Sequence, residues 1–353
     1  MKTNQTIIIK VGTGVLTTDK GLLDESMVKQ IVDEIVVVKK HGIRIVLVSS
    51  GAMGAGRTLL TPAKKLTRVE QRQILAAVGQ VKLMSTYAAY FKNYGYHSAQ
   101  VLATKEDFRD RHHYLNMKNC FTALLNNDVV PIVNENDVVA VDELMFTDND
   151  ELAGLVTSLL NAERLIILTT VNGILDREGK SIAVVDRLTN LEDYIENKKS
   201  TFGRGGMLTK SAVAKRLAKL GTTTHIIDGK QPENISKIIA GEMIGTTFLP
   251  EHKVSPHKKW LAHARGNEQG SVIINQCAEE IFQDNSKATS LLPVGITNIQ
   301  GEFKKGDIVK IIGPTGRELG YGRANYAADD IQKVLGKKNQ RPFIHYDYLF
   351  LDV

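Results

Sequence analysis

Short apolar runs rich in isoleucine and valine alternate, through roughly the first 250 residues, with longer stretches whose apolar positions recur every three or four. The short runs predict buried strands at 6–11, 43–48, 97–102, 129–133, 164–169 and 224–227. The longer stretches predict helices at 25–41, 69–93, 113–126, 149–161 and 207–220, the last followed by a glycine suited to a helix C-terminus. Near-continuous apolar strands separated by amphipathic helices imply a mainly parallel sheet covered on both faces, an α/β fold. At 250–259 the segment PEHKVSPHKK is polar, carries two prolines and shows no period, as expected of a connection between domains. We therefore expect one domain over 1–255 and another over 262–353. The latter shows short β-like runs at 271–274, 308–312 and 343–351, broken by the turns GPTG and LGYG, which predicts a small barrel-like or α+β module.

Composition adds exclusions. The chain of 353 residues exceeds the usual size of one domain, and its 42% apolar and 24% charged residues are ordinary soluble usage. No stretch approaches the roughly 18 to 20 uncharged apolar residues of a membrane span. The N-terminal MKTNQTIIIKVG enters a strand pattern directly, without the segments of a secretory leader, so a cytoplasmic location is expected. Cys120 and Cys277 lack zinc or redox spacing and read as buried apolar fillers. The net charge of +6 belongs to residues 1–260, because 261–353 carry eleven Lys or Arg against eleven Asp or Glu. That distribution favours small anionic ligands on the first domain and argues against RNA on the second.

Five segments at predicted strand or helix ends carry the candidate chemistry. The first strand ends in Lys10-Val-Gly-Thr-Gly14, which sets a lysine and glycines at the sheet edge where open α/β folds bind ligands. Such a turn brings N–H groups to phosphate oxygens, and Lys10 adds a point charge. The second strand ends in Ser49-Ser-Gly-Ala-Met-Gly-Ala-Gly56, read either as a second pocket loop or as close helix-sheet packing. Neither segment is G-x-G-x-x-G, and no G-x-x-x-x-G-K-[ST] occurs, which disfavours dehydrogenases and P-loop enzymes. Asn134-Glu-Asn-Asp137 and Asp148-Asn-Asp150 join carboxylates to amides, acceptors for an ammonium group beside donors for a carboxylate, as an α-amino acid requires. Finally, Gly203-Arg-Gly-Gly-Met-Leu-Thr-Lys210 leads into a helix, and its glycines, helix N-terminus and lysine make a good anion site by geometry and dipole.

Taken together, Lys10-Val-Gly-Thr, Ser49-Ser-Gly-Ala, Asn134-Glu-Asn-Asp, Asp148-Asn-Asp and Gly205-Gly-Met-Leu-Thr-Lys strongly resemble the glutamate 5-kinase family of the amino-acid kinase superfamily. The tail, with LLPVGITNIQGEFKKGDIV and YGRANYAADDI, resembles a PUA domain. The resemblance implies an amino-acid kinase-like αβα sandwich followed by a PUA-like β-barrel, and phosphorylation of the γ-carboxylate of L-glutamate by ATP with Mg²⁺. It assigns Lys10 and Lys210 to the transferring phosphoryl group, while Asp148 or Asp150 orients the lysines, Mg²⁺ or substrate. Ser50, Gly51, Asn134, Asp137 and Asn149 would hold glutamate. Lys10, Gly12, Thr169, Thr170, Arg204, Gly205, Gly206, Met207, Leu208, Thr209 and Lys210 would contact ATP, with Mg²⁺ left largely to phosphate oxygens. It also implies proline as an inhibitor, a place in proline synthesis and a homo-oligomer. Thr170, Gly14 and Arg204 depart from the family pattern, which has Asp, Ser and a small polar residue there. Acetylglutamate, aspartate and uridylate kinases are the neighbouring alternatives, and an RNA-binding protein the alternative of another class.

Overall fold

The computed structural model describes residues 5–62, 66–109, 111–139, 148–176, 178–186, 189, 206–251, 256–261, 268–283 and 289–351. Two compact units divide the chain, Met1–Lys253 and Val254–Val353.

In the first unit the chain runs β1 (Thr6–Val11), α1 (Thr13–Leu16), α2 (Glu25–Lys40), β2 (Arg44–Ser49), α3 (Ala52–Leu59), α4 (Arg68–Lys92), β3 (Ser98–Ala103), α5 (Lys105–Arg109), α6 (Arg111–Asn126) and β4 (Val130–Glu135). It continues through α7 (Asn149–Leu159), β5 (Arg164–Thr169), β6 (Val184–Val185), α8 (Met207–Lys219), β7 (Thr223–Asp228), α9 (Asn234–Ala240) and β8 (Thr246–Phe248). The sheet order is β3-β4-β2-β1-β5-β7-β8-β6. From β3 to β7 every neighbouring pair is parallel, while β8 runs antiparallel to β7 and β6 runs parallel to β8. The ends of β1, β2, β4 and β5 therefore share one edge, where ligands bind in such sheets.

Local chemistry explains the boundaries. Asp24 caps α2 by accepting N–H bonds from Ser26 and Met27, and Lys39 and Lys40 close its last turn. Thr67 and Glu70 form a reciprocal capping box that starts α4. Strand β1, TIIIKV, is buried throughout because it is central and covered on both faces. Each of its fully buried isoleucines contributes about 1.5–3 kcal/mol.

The predicted strands and five predicted helices are present, with ends shifted by one or two residues. Helix α3 differs from its expected loop. Ser49 ends β2, Gly51 adopts φ +100°, and the small-residue run then coils into Ala52–Leu59. A Cβ on Gly56 would overlap the Leu75 carbonyl, and one on Gly79 the Ala52 carbonyl, so α3 and α4 touch backbone to backbone. Of the two readings of this run, helix packing accounts for Gly54 and Gly56 and no phosphate loop forms from them. An open apolar groove lined by Leu59, Ala77, Val78, Val81, Lys82 and Ser85 runs along the same helix pair.

The second unit contains α10 (Pro256–Leu261), β9 (Gly270–Ile274), α11 (Gln276–Gln283), β10 (Ile296–Gln300), β11 (Ile308–Ile312), β12 (Glu318–Arg323), α12 (Ala328–Gln332) and β13 (Leu349–Leu351). Its mixed sheet has the order β10-β9-β11-β12-β13 around a core that includes Val272, Phe282, Phe303, Ile311 and Phe343. Three expectations change here. Part of the polar connection forms α10, with Pro256 at its first position, where a missing N–H carries no penalty. LGYG lies inside β12 rather than in a turn, because side chains at Gly320 and Gly322 would collide with Phe350 and Ile344. The run at 343–351 becomes strand only at Leu349–Leu351, after a 3₁₀ turn over Tyr346–Tyr348. Cys120 and Cys277 are both exposed, not buried. Among the described residues no helix is long and apolar enough to cross a membrane.

Burial also creates an acid-sensitive point. His225 on β7 is only 6% exposed, its Nδ1 lies 3.0 Å from Thr247 Oγ1, and its Nε2 has no partner among the described residues. Burial, reinforced by Arg164, pushes its pKa from 6.5 down to about 4. The unfolded chain then binds the proton more tightly, so stability is complete above pH 6.5 and is lost as pH falls towards 4. Thermal unfolding between pH 7 and pH 4 should show about 3 kcal/mol of acid loss in the native chain that His225→Asn lacks.

Candidate active site

Along β1, Ile7, Ile9 and Val11 enter the core shared with α2, so Lys10 projects to the other face. There α7 packs against β1 and α8. Asp148 is the N-cap of α7, and its Oδ1 accepts the N–H of Asp150 at 2.7 Å. This cap sets Asp150 in the first turn with no exposed surface. Asp150 Oδ1 lies 2.6 Å from Lys10 Nζ, and Oδ2 lies 2.8 Å from Lys210 Nζ at the start of α8. Asp148 stands farther from the same ammonium groups, at 3.5 and 3.9 Å. The sequence left the two aspartates undivided; in the fold Asp150 bridges the lysines and Asp148 shapes the helix start.

Electrostatics follow from that geometry. Burial alone would raise the Asp150 carboxyl, but Lys10 and Lys210 outweigh it and hold the group well below the carboxylate range. Burial pulls Lys10 down, yet Asp150 and Asp148 prevail and raise it, so it stays charged. Asp148 is raised, first by burial, opposed by Lys10 and helped by the charge of Asp150.

A second cluster adjoins the first at the same edge. Ser50 donates its backbone N–H to Val11 O at 3.1 Å, next to Lys10. Asn149 Nδ2 donates to Ser50 Oγ at 2.9 Å and to Asn134 Oδ1 at 3.0 Å. Asn134 Oδ1 also accepts the Glu135 N–H, which fixes the amide so that its Nδ2 donates to Gln80 Oε1 at 2.9 Å. Because Ser50 Oγ accepts from Asn149, its own hydrogen can point to a ligand oxygen. Asp137 follows β4 in a turn, where Arg72 of α4 donates to it through Nε and Nη2 and reaches Glu135 Oε2 at 3.0 Å.

The remaining candidates lie as follows. The Gly12 N–H donates to Leu168 O, so Gly12 contributes a bare surface beside Lys10 rather than a free donor. Thr169 ends β5, and Thr170 follows it. Gly206 caps α8, with Met207, Leu208 and Thr209 in its first turn. Arg204 and Gly205 lie outside the described residues. Two departures from the family pattern meet in space: a Cβ on Gly14 would stand 3.0 Å from Thr170 Cγ2, so the threonine methyl occupies the room of a larger residue at 14. Sequence reasoning missed Arg72, Gln80 and Tyr87, the last of which meets Ser49 Oγ at 2.9 Å. All three belong to α4, predicted from the sequence only as a helix with no site residue assigned to it. Among the described residues no cluster of three or more His, Cys, Asp or Glu could hold a metal ion.

A parallel α/β sheet with two lysines from distant segments brought to one carboxylate defines an anion-handling site, and comparison with known proteins agrees. The sequence profile of the amino acid kinase family matches residues 5–228, and that of the PUA domain residues 270–343. The chain belongs to the amino acid kinase family. Within it, the chain is 45% identical over 349 residues to the glutamate 5-kinase of Chlorobaculum tepidum, covering 98% of this chain and 97% of that one. The glutamate 5-kinase of Bacteroides thetaiotaomicron is 44% identical, with 98% of each chain covered. Among solved structures, carbamate kinase from Giardia lamblia bound to AMP-PNP shares the fold, with a TM-score of 0.52 and 16% identity over 71% of this chain and 100% of that chain.

The bridge makes a stability prediction. Asp150→Asn leaves two ammonium groups buried around a neutral amide and should lower stability by about 3–5 kcal/mol. Asp148→Asn should cost less, since asparagine still caps a helix. Urea unfolding of the full chain measures both, and an equal loss would contradict the bridging role.

Proposed function

We propose that this chain transfers the γ-phosphoryl group of ATP to the side-chain carboxylate of L-glutamate, giving L-glutamyl 5-phosphate. The observation that carries the reading is the convergence of Lys10 and Lys210 on Asp150 beside the Ser50, Asn149 and Asn134 relay. A γ-carboxylate is ionised at neutral pH and attacks without a general base. What impedes it is repulsion between anions, and phosphoryl transfer asks mainly for alignment and charge neutralisation. Lys10 and Lys210 supply two positive charges with little reorganisation because Asp150 already holds them together. Ser50, Gly51, Asn134, Asp137 and Asn149 fit the acceptor, and the Ser50 hydroxyl is oriented to donate to it. Gly12, Thr169, Thr170 and the segment Gly206 to Lys210 fit the nucleotide, and the family resemblance assigns Arg204 and Gly205 to it as well. Asp148 and Asp150 both face lysines, so Mg²⁺ fits best on phosphate oxygens, where it would neutralise charge.

Residues 1–255 form the kinase domain in this reading and 262–353 the PUA-like domain, whose balanced charge argues against RNA. The reaction belongs to proline synthesis in the cytoplasm, with proline as an inhibitor. Exposure of Leu59 (59%) and Val81 (73%) at the apolar groove favours a homo-oligomer.

An ADP-release assay with glutamate, acetylglutamate, aspartate and UMP, each with and without proline, tests the reading; glutamate alone should serve as acceptor, and activity confined to another would refute it. Lys10→Ala and Lys210→Ala should each lower kcat by about 10²–10³. Asp137→Ala should act chiefly on the glutamate KM. Near-normal turnover in both lysine variants would remove them from the mechanism.

A further inference from the structure

We propose that Gln80 is a positioning residue for the acceptor: acting through Asn134 and Asn149, it fixes the direction in which the Ser50 hydroxyl donates. The inference deepens the reading above and rests on glutamate as acceptor.

The amides of this relay can be arranged in one sense. Asn134 Oδ1 accepts the Glu135 N–H at 2.9 Å and Asn149 Nδ2 at 3.0 Å, so Asn134 Nδ2 lies on the other side, where it donates to Gln80 Oε1 at 2.9 Å. The other hydrogen of Asn149 Nδ2 goes to Ser50 Oγ at 2.9 Å. Turning the Asn149 amide over would set its oxygen against Asn134 Oδ1, two acceptors facing each other. Ser50 Oγ is therefore an acceptor within the relay, and its own hydrogen has no acceptor among the described residues.

The rest of Ser50 is held as well. Ser49 Oγ donates to Ser50 O at 2.9 Å, so the hydrogen in its 2.9 Å contact with Tyr87 comes from the phenol, two turns beyond Gln80 on α4. With the Ser50 N–H on Val11 O, the hydroxyl torsion is the freedom that remains, and the relay removes it. Gln80 and Asn134 are buried whereas Asn149 and Ser50 are half-buried, so the chain of amides runs from the interior out to the sheet edge. Its inner end is anchored by the main chain, because Gly79 lies directly against the Ala52 carbonyl, two residues past Ser50.

The identity of the inner residue follows from the charge of the ligand. Gln80 Nε2 is buried without a partner among the described residues, which is unfavourable in itself. Glutamate in its place would accept from Asn134 and bury no idle donor, but it would set a negative charge behind a hydroxyl aimed at an anion. Methionine would fill the same space and accept nothing. Glutamine accepts at that reach while keeping all four members of the relay neutral, and the idle donor is the consequence.

The alternative is that Gln80 only packs α4 against the end of β4. A double-mutant cycle with Ser50→Ala separates the two roles in the full-length enzyme, with kcat and the KM values of glutamate and ATP measured by ADP release. Gln80→Met should raise the glutamate KM about tenfold and leave kcat and the ATP KM within about twofold. In the Ser50→Ala background the same change should raise the glutamate KM by less than about twofold, because the hydroxyl it orients is gone. Gln80→Asn, whose oxygen falls short of Asn134, should behave alike and serves if the methionine variant does not fold. Effects of the two substitutions that multiply in full would overturn the proposal in favour of packing, and so would a glutamate KM within twofold of native in the Gln80 variants. The native enzyme is a separate check: absence of glutamate turnover would remove the acceptor reading itself.

Discussion

The arrangement of this sheet edge depends on one carboxylate sealed between two ammonium groups. Asp150 has no exposed surface, yet it remains ionised because Lys10 and Lys210 outweigh the penalty of burial. Without it, two cations brought from β1 and α8 would repel each other in a poorly hydrated space. The lysines are separated by 200 positions in sequence, and α7 joins them through the first-turn geometry that Asp148 caps. A site that concentrates positive charge before its anionic ligand arrives needs such an internal counter-ion. Here the counter-ion belongs to the helix whose first residue, Asn149, also links Ser50 to Asn134.

Helix α4 is the second organising element. Its glycine at 79 lets it lie directly on α3, and its polar face supplies Arg72 and Gln80 to the end of β4. The amide chain from Gln80 through Asn134 and Asn149 to Ser50 gives each side chain a defined donor and acceptor sense. Hydroxyl direction at Ser50 is therefore set by groups two or three contacts away. At the far end of the chain Gln80 Nε2 is buried without a partner among the described residues, so Gln80 is held through its carbonyl oxygen alone.

Much of the fold was legible because β1 to β5 and β7 are apolar enough to announce themselves, and because α2, α4 and α7 carry recognisable caps. Lys10, Asp148, Asp150 and Lys210 were legible as chemistry at strand and helix ends. Helix α3 was not, since glycine and alanine have no apolar period and the reason for them is the α4 backbone, which sequence does not display. Strand β12 was hidden in the same way by Gly320 and Gly322, required by contacts with Phe350 and Ile344. Arg72 and Gln80 escaped notice because a polar residue on a long helix looks the same whether it faces water or a strand end. The roles of Asp148 and Asp150 separated only with distances.

The backbone contact between α3 and α4 carries a consequence for how such an enzyme can diverge. With no side chain of its own at Gly56 or Gly79 to trim or enlarge, the junction offers no gradual adjustment, and the Ser50 loop and the Gln80 face are locked into one rigid block. A lineage that acquires a different acceptor would have to inherit that block whole. Novelty would then arise through exchanges at the end of β4, where the side chains of Arg72, Glu135 and Asp137 meet.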